Sequence, residues 1–179
     1  MSQRYPPALL ALHWLTLLLV VAAYALVELK GFAERGSDLR SAMVRLHYVT
    51  GLSIFALTLL RLGLRAVNTV PASEPPPPYW MQLSSKAVHL VLYAILIALP
   101  LLGWLALSAK AQPVDLFFFE LPLAPFDLDP DLAKPLRAWH ARVANTGYFL
   151  IGFHATAALV HHFFLRDNTL MRMLPRSKP

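Results

Sequence analysis

Residues 87–109 read AVHLVLYAILIALPLLGWLALSA, twenty-three positions without one Asp, Glu, Lys or Arg. A helix needs about 20 mostly apolar residues to cross the hydrocarbon core of a bilayer, so this stretch alone is long enough. Two more charge-free stretches of 23 residues occur at 5–27 and 143–165, and a fourth, of 15, at 46–60. The fourth reaches spanning length once Arg45, Arg61 and Arg65 snorkel from its ends to the headgroups. The pattern predicts four transmembrane helices near 7–28, 41–66, 83–108 and 136–165. Together they predict an all-α, integral-membrane, up-down four-helix bundle, one domain over residues 1–179.

Composition supports the same reading. Of 179 residues, 57 % are hydrophobic and 15 % charged, against about 25 % charged in an ordinary soluble domain. A soluble chain of this size has no way to bury so much apolar surface. Cysteine is absent, which excludes disulfides, thiolate zinc, iron–sulfur clusters and covalently attached c-type haem. The net charge of +6 fits anionic lipid headgroups rather than nucleic acid, because no basic cluster occupies a polar face. The first stretch reads as a span rather than a cleaved leader, since His13-Trp14 interrupts the middle of its apolar run.

Lys and Arg divide eight to eight between the two sides of such a bundle, while eight of the ten acids fall on the side opposite the termini. The compact 66–82 link and the short basic tail favour both termini inside. Pro71 and Pro75 to Pro78 stiffen that link, and Pro100 alone lies deep in a span, where a bend is expected. The longest connection, 110–135, carries Phe117-Phe118-Phe119 and a run of acids. It reads either as a plain loop or as a segment folded over the membrane surface with its aromatics at the interface.

All seven histidines lie in or at the edge of the spans: His13, His47, His89, His140, His154, His161 and His162. Imidazoles in a bilayer are expensive, and seven of them call for a partner that takes ring nitrogen. Depth sorts four of them into pairs. His13 is near the inner end of the first span and His47 near the outer end of the second. His140 and His154 are fourteen residues apart, about 21 Å of rise and nearly four whole turns, so they share a face. The outer pair is His47 with His140; the inner pair is His13 with His154. Gly147 lies midway between the last two on that face, and Gly51 one turn from His47. These glycines leave room for a flat group or for close helix packing. The charge-free stretches contain no acid and no thiol to complete a bare metal site. None of the five methionines lies in a charge-free stretch, which disfavours His/Met ligation. Two axial imidazoles from opposite helices suit a porphyrin, and the inference is two b-type haems at two depths, each with both axial positions filled.

The chain resembles the bacterial cytochrome b561 family, small four-helix di-haem membrane cytochromes. The resemblance is carried by His13-Trp14, by His47 with Gly51, and by the run from His89 to Tyr93. It is strongest from Trp139-His140 through Asn145 and Gly147-Tyr148-Phe149 to His154. It continues in His161-His162, Asp167-Asn168-Thr169-Leu170 and Met173-Leu174-Pro175-Arg176. The resemblance implies that His13 and His154 bind the inner haem and His47 and His140 the outer one. It also implies a place in the bacterial inner membrane. Short stand-alone members look like superoxide oxidases that reduce ubiquinone; others anchor hydrogenases or formate dehydrogenases to the quinone pool, so a partner dehydrogenase is the alternative.

A quinone head needs a hydrogen bond at each carbonyl and protons on reduction, both within the reach of histidine. His161, one heptad past His154, and His89, in the inner third of the third span, are the quinone candidates; bonding to haem propionates or to backbone carbonyls is the other reading. His162 is rotated off that face and reads as interfacial. Arg4, Lys86, Arg45 and Arg137 sit at depths suited to propionates. Asp167-Asn168 reads either as part of an inner site or as a helix-ending turn followed by an amphipathic tail on the membrane.

Overall fold

The computed structural model describes residues 4–69 and 71–174. Pro175, Arg176 and Lys178, used above in the motif and the charge comparison, lie outside the described residues. Four long helices account for most of the chain: α1, Pro7–Leu29; α2, Asp38–Val67; α3, Tyr79–Ser108; and α4, Ala133–Phe163. All four are long and apolar enough to cross a membrane.

Local chemistry sets their ends. Ser37 follows Gly36, whose positive φ of 85° turns the chain, and its side chain accepts from the Arg40 amide at 3.2 Å. This N-cap starts α2 at Asp38, a turn before the charge pattern suggested, and puts an acid in its first turn. Pro78 caps α3, so that helix begins at Tyr79 rather than near residue 83. Asp129 caps a 3₁₀ turn at Pro130–Leu132 that leads straight into α4. Pro100 remains inside α3 and removes the amide that would have bonded the Leu96 carbonyl.

The helices pack as two antiparallel hairpins, α1 on α2 and α3 on α4, joined by a lighter α2–α3 contact. Many large apolar side chains point outward, among them Leu18, Leu90 and Phe149 at 66 %, 70 % and 81 % exposure. An apolar exterior of this kind is a lipid-facing surface. Polar groups turn inward instead: Thr16, Thr50 and Thr58 are buried. Thr16 and Thr50 donate to the carbonyls of Leu12 and Leu46 on their own helices.

The connection after α3 is ordered. Val114–Asp115 (β1) pairs antiparallel with Glu120–Leu121 (β2), and Phe118 at the hairpin tip is 96 % exposed. Trp104 Nε1 donates to the Pro122 carbonyl at 2.9 Å and the Ala124 amide to Ser108 Oγ at 3.0 Å, which fastens the segment to the end of α3. Arg45 of α2 reaches Asp115 at 3.3 Å.

At the opposite end, the segment after α4 is not a tail lying free on the membrane. Asn168 exchanges hydrogen bonds with the backbone of Glu74 at 3.2 and 3.0 Å. The guanidinium of Arg172 donates to the Pro71 carbonyl. The Tyr5 amide donates to the Arg172 carbonyl, and Trp14 Nε1 to the Met173 carbonyl at 2.7 Å. Residues 167–174 therefore form a clasp across the start of α1, the 71–74 link and the end of α4. The reason is polar: the tail's backbone has fixed partners within the protein, which an amphipathic helix on lipid would not need.

Candidate functional site

Five of the seven imidazoles gather at two levels of the bundle, and His161 and His162 lie beyond them at the end of α4. At the level nearer the α1–α2 and α3–α4 connections, His47 of α2 and His140 of α4 face each other across the bundle. Their ring centroids are 6.2 Å apart and the ring planes cross at 74°. Each ring is held by its Nδ1 against a main-chain carbonyl of a third or fourth helix. His47 bonds Ala23 of α1 at 3.1 Å, and His140 bonds Leu99 of α3 at 2.9 Å. Such a bond fixes the tautomer with the proton on Nδ1 and leaves Nε2 as a free lone pair. All four helices thus contribute to one site, two through the imidazole rings and two through the carbonyls that orient them.

With a metal–imidazole bond of about 2 Å and about 1.1 Å from ring nitrogen to ring centre, two axial imidazoles on one metal stand about 6.2 Å apart. The observed separation has that size. The donor set therefore fits an iron porphyrin bound through both axial positions.

The two glycines flagged by the sequence behave differently. Nothing lies within 4 Å of a side chain added at Gly51, so that position leaves open space. A methyl added at Gly147 would come within 2.6 Å of the Tyr24 hydroxyl, which donates to the Ala144 carbonyl at 2.7 Å. Gly147 is a close helix-packing position: it admits Tyr24, whose ring in turn packs 4.0 Å from that of Tyr148. Gly103, which the sequence reading passed over, lets the His140 ring approach to 3.4 Å of where its side chain would begin.

At the other level the ring of His154 (α4) has His89 (α3) edge-on against it, centroids 5.1 Å apart. That is about an ångström less than two axial ligands of one metal require. His89 Nδ1 lies 2.6 Å from the Ser85 carbonyl on its own helix. His13 of α1 completes this level, close enough that the charges of His154, His89 and Arg61 act on it. His13 also packs edge-on against Trp14, the residue that ties α1 to the clasp.

His161 sits at the end of α4 beneath the clasp. Its Nδ1 donates to Asp167 Oδ2 at 2.5 Å, and Asp167 Oδ1 accepts from the Thr169 amide at 2.8 Å. Asp167 is only 8 % exposed. Burial alone would push its carboxyl up, but the hydrogen bonds from His161 and Thr169 outweigh this and hold it below the usual carboxylate range. His162 is turned away and packs on Phe163.

Among the described residues no group of three or more His, Cys, Asp or Glu is arranged to hold a bare metal ion. Membrane-spanning helices with imidazoles paired between them, and no acid or thiolate beside them, define a membrane cytochrome. The comparisons give the family. The chain matches the family model described as prokaryotic cytochrome b561 over residues 4–176. It is 39 % identical to "Cytochrome b561 homolog 1" of Escherichia coli (strain K12), covering 98 % of this chain and 99 % of that one. It is 36 % identical to "Probable superoxide oxidase CybB" of Yersinia pestis, covering 99 % of each. It is 29 % identical to "Cytochrome b561 homolog 2" of Escherichia coli (strain K12), covering 98 % and 93 %. The chain belongs to the prokaryotic cytochrome b561 family. Membership makes it a multi-pass inner-membrane electron-transport protein and implies b-type haem.

Proposed function

We propose that this cytochrome carries two b-type haems, one between His47 and His140 and one between His13 and His154, and moves electrons from superoxide to ubiquinone. The observation that carries the reading is the His47–His140 pair: separation, free Nε2 atoms and carbonyl-anchored Nδ1 atoms all suit bis-axial ligation. Such haems, when bound, take up and release one electron at a time with no open iron position for dioxygen. In the reaction two superoxide ions each give up one electron and become dioxygen, and one ubiquinone gains two electrons and two protons.

The chain's own groups do the rest. The mouth at the α1–α2 side is lined by Arg40, Ser41, Val44, Arg45 and Asp115; Arg45 is paired with Asp115, and Arg40 is the cation there that attracts a small anion. At the clasp end, Asp167 accepts from His161 Nδ1 and fixes the ring, so that Nε2, once the ring has taken up a second proton against the Asp167 carboxylate, donates to a quinone carbonyl and hands that proton over. His161 is the better-supported quinone residue. His89, the other candidate, lies against His154 at the inner haem level. In this reading both termini are cytoplasmic, together with the clasp and the quinone end; Tyr5 and Trp14 meet Arg172 and Met173 at one end of the bundle.

The test uses the purified holoprotein, an enzymatic superoxide source and a soluble ubiquinone analogue. Haem reduction that superoxide dismutase abolishes, followed by quinol formation, is the expected result. A protein that superoxide leaves oxidised, but that a quinol reduces, would instead be the quinone-linked subunit of a partner dehydrogenase.

A further inference from the structure

Arg61 of α2 lies fourteen residues inward of His47, the same interval that separates His140 from His154 on α4. It therefore faces the bundle interior at the level of His13, His89 and His154, and its charge acts on all three imidazoles. It is half-buried and, among the described residues, has no ion pair. The charges that act on it in turn come from Tyr93, Arg65 and Tyr5, none of them a carboxylate. Its guanidinium sits 5.8 Å from the centre of the Tyr93 ring on α3. The Tyr93 hydroxyl is buried without a hydrogen-bond partner. One turn away on α2, Thr58 is 1 % exposed, and its hydroxyl is likewise unpartnered.

A cation without an acid and buried hydroxyls without acceptors, gathered on facing helices, describe a site made for an anionic oxygen ligand. Lipid phosphate would meet such groups at the bilayer surface. Here the donors converge beside the inner imidazoles, which favours a carboxylate carried by the group those imidazoles hold. The geometry points to Arg61 and Tyr93 as the anchor for a propionate of the inner haem. This rests on the two-haem reading given above. It adds a second task to α2, which supplies an axial ligand at one level and a counter-charge at the other.

A cation beside a haem stabilises the electron-rich reduced form, so removing it lowers the midpoint potential of that haem alone. The experiment is a spectroscopic redox titration of purified holoprotein at pH 8, with haem per chain measured on the same samples. Wild type is compared with Arg61→Gln, Arg61→Lys and Tyr93→Phe. The expected result is two haems and two Nernst steps in wild type. Arg61→Gln lowers one step by at least tenfold in the reduced-to-oxidised ratio, which is 59 mV for one electron, and leaves the other in place. Arg61→Lys restores most of that shift, and Tyr93→Phe, a minimal change that keeps the ring, moves the same step in the same direction. Two haems in every protein with both steps unmoved would overturn the anchor, as an arginine serving lipid phosphate would give. One haem in the wild type would overturn the two-haem reading itself, and the anchor with it.

Discussion

The rings of His47 and His140 stand 6.2 Å apart between centroids, crossed at 74°, with each Nδ1 tied to a main-chain carbonyl. Two of the helices hold the rings and the other two hold the rings' orientation, so the site depends on the whole bundle.

If that pair is an axial pair, losing one member removes one haem. His140→Ala is expected to lower the haem content from two per chain to one and to leave the inner haem's spectrum in place. His13→Ala is expected to remove the inner haem and spare the outer. Haem content by pyridine haemochrome, with the reduced-minus-oxidised spectrum, reads this directly. Equal loss of both haems from each variant would refute the pairing.

The His161–Asp167 pair predicts a defect confined to quinone chemistry. His161→Leu is expected to retain both haems, to be reduced by superoxide at the wild-type rate, and to reduce quinone roughly a hundredfold more slowly, the low end of a lost acid–base contribution. Asp167→Asn, which keeps the ring but not its charged acceptor, is expected to fall between. Stopped-flow oxidation of the reduced haems by quinone separates these rates; an unchanged rate in His161→Leu would assign the residue to the clasp alone.

The clasp has its own pH dependence. Asp167 is held below the usual carboxylate range in the folded protein, whose unfolded value is about 3.9. Its ionised form therefore contributes stability that is fully present above about pH 4 and is lost as the pH falls through the lowered folded value. Amide exchange at Asn168 and Thr169 is expected to stay slow from neutral pH down to about pH 5 and to speed up below about pH 4. Asp167→Asn should exchange fast across that whole range. Opening near pH 6 to 7 in the wild type would contradict the carboxylate assignment.

Gly147 predicts a packing penalty with a specific remedy. Gly147→Ala drives a methyl against the Tyr24 hydroxyl and is expected to cost about 1–3 kcal/mol. Tyr24→Phe alone loses the bond to Ala144, about 1 kcal/mol. Combined, the two should cost less than their sum, because the clashing oxygen is gone. Thermal unfolding in detergent measures the cycle, and strict additivity would mean the backbone moves instead.

Much of this molecule could be read from spacing. Charge-free stretches located the spans because the bilayer core excludes charge over a fixed thickness. The fourteen residues from His140 to His154 set two depths because a helix rises a fixed distance per residue. What spacing could not supply was anything made by main-chain atoms of a distant helix. The Ala23 and Leu99 carbonyls leave no mark in composition, yet they orient both outer rings. The clasp escaped for the same reason: Asn168, Arg172 and Trp14 all bond backbone far away in sequence, so Asp167-Asn168 read either as part of an inner site or as a helix-ending turn before an amphipathic tail. Gly147 was ambiguous between flat-ligand space and helix packing, and only the position of Tyr24 decides it. Arg61 read as a snorkelling end residue because its interval from His47 matters only once α2 is seen to face the inner imidazoles.

The most direct test of the account is the haem-to-protein ratio of the purified protein, taken with its reduced-minus-oxidised spectrum. Two b-type haems per chain, both six-coordinate and low-spin, are the predicted result. A preparation without a Soret band, or with a single haem that survives both His140→Ala and His13→Ala, would contradict it.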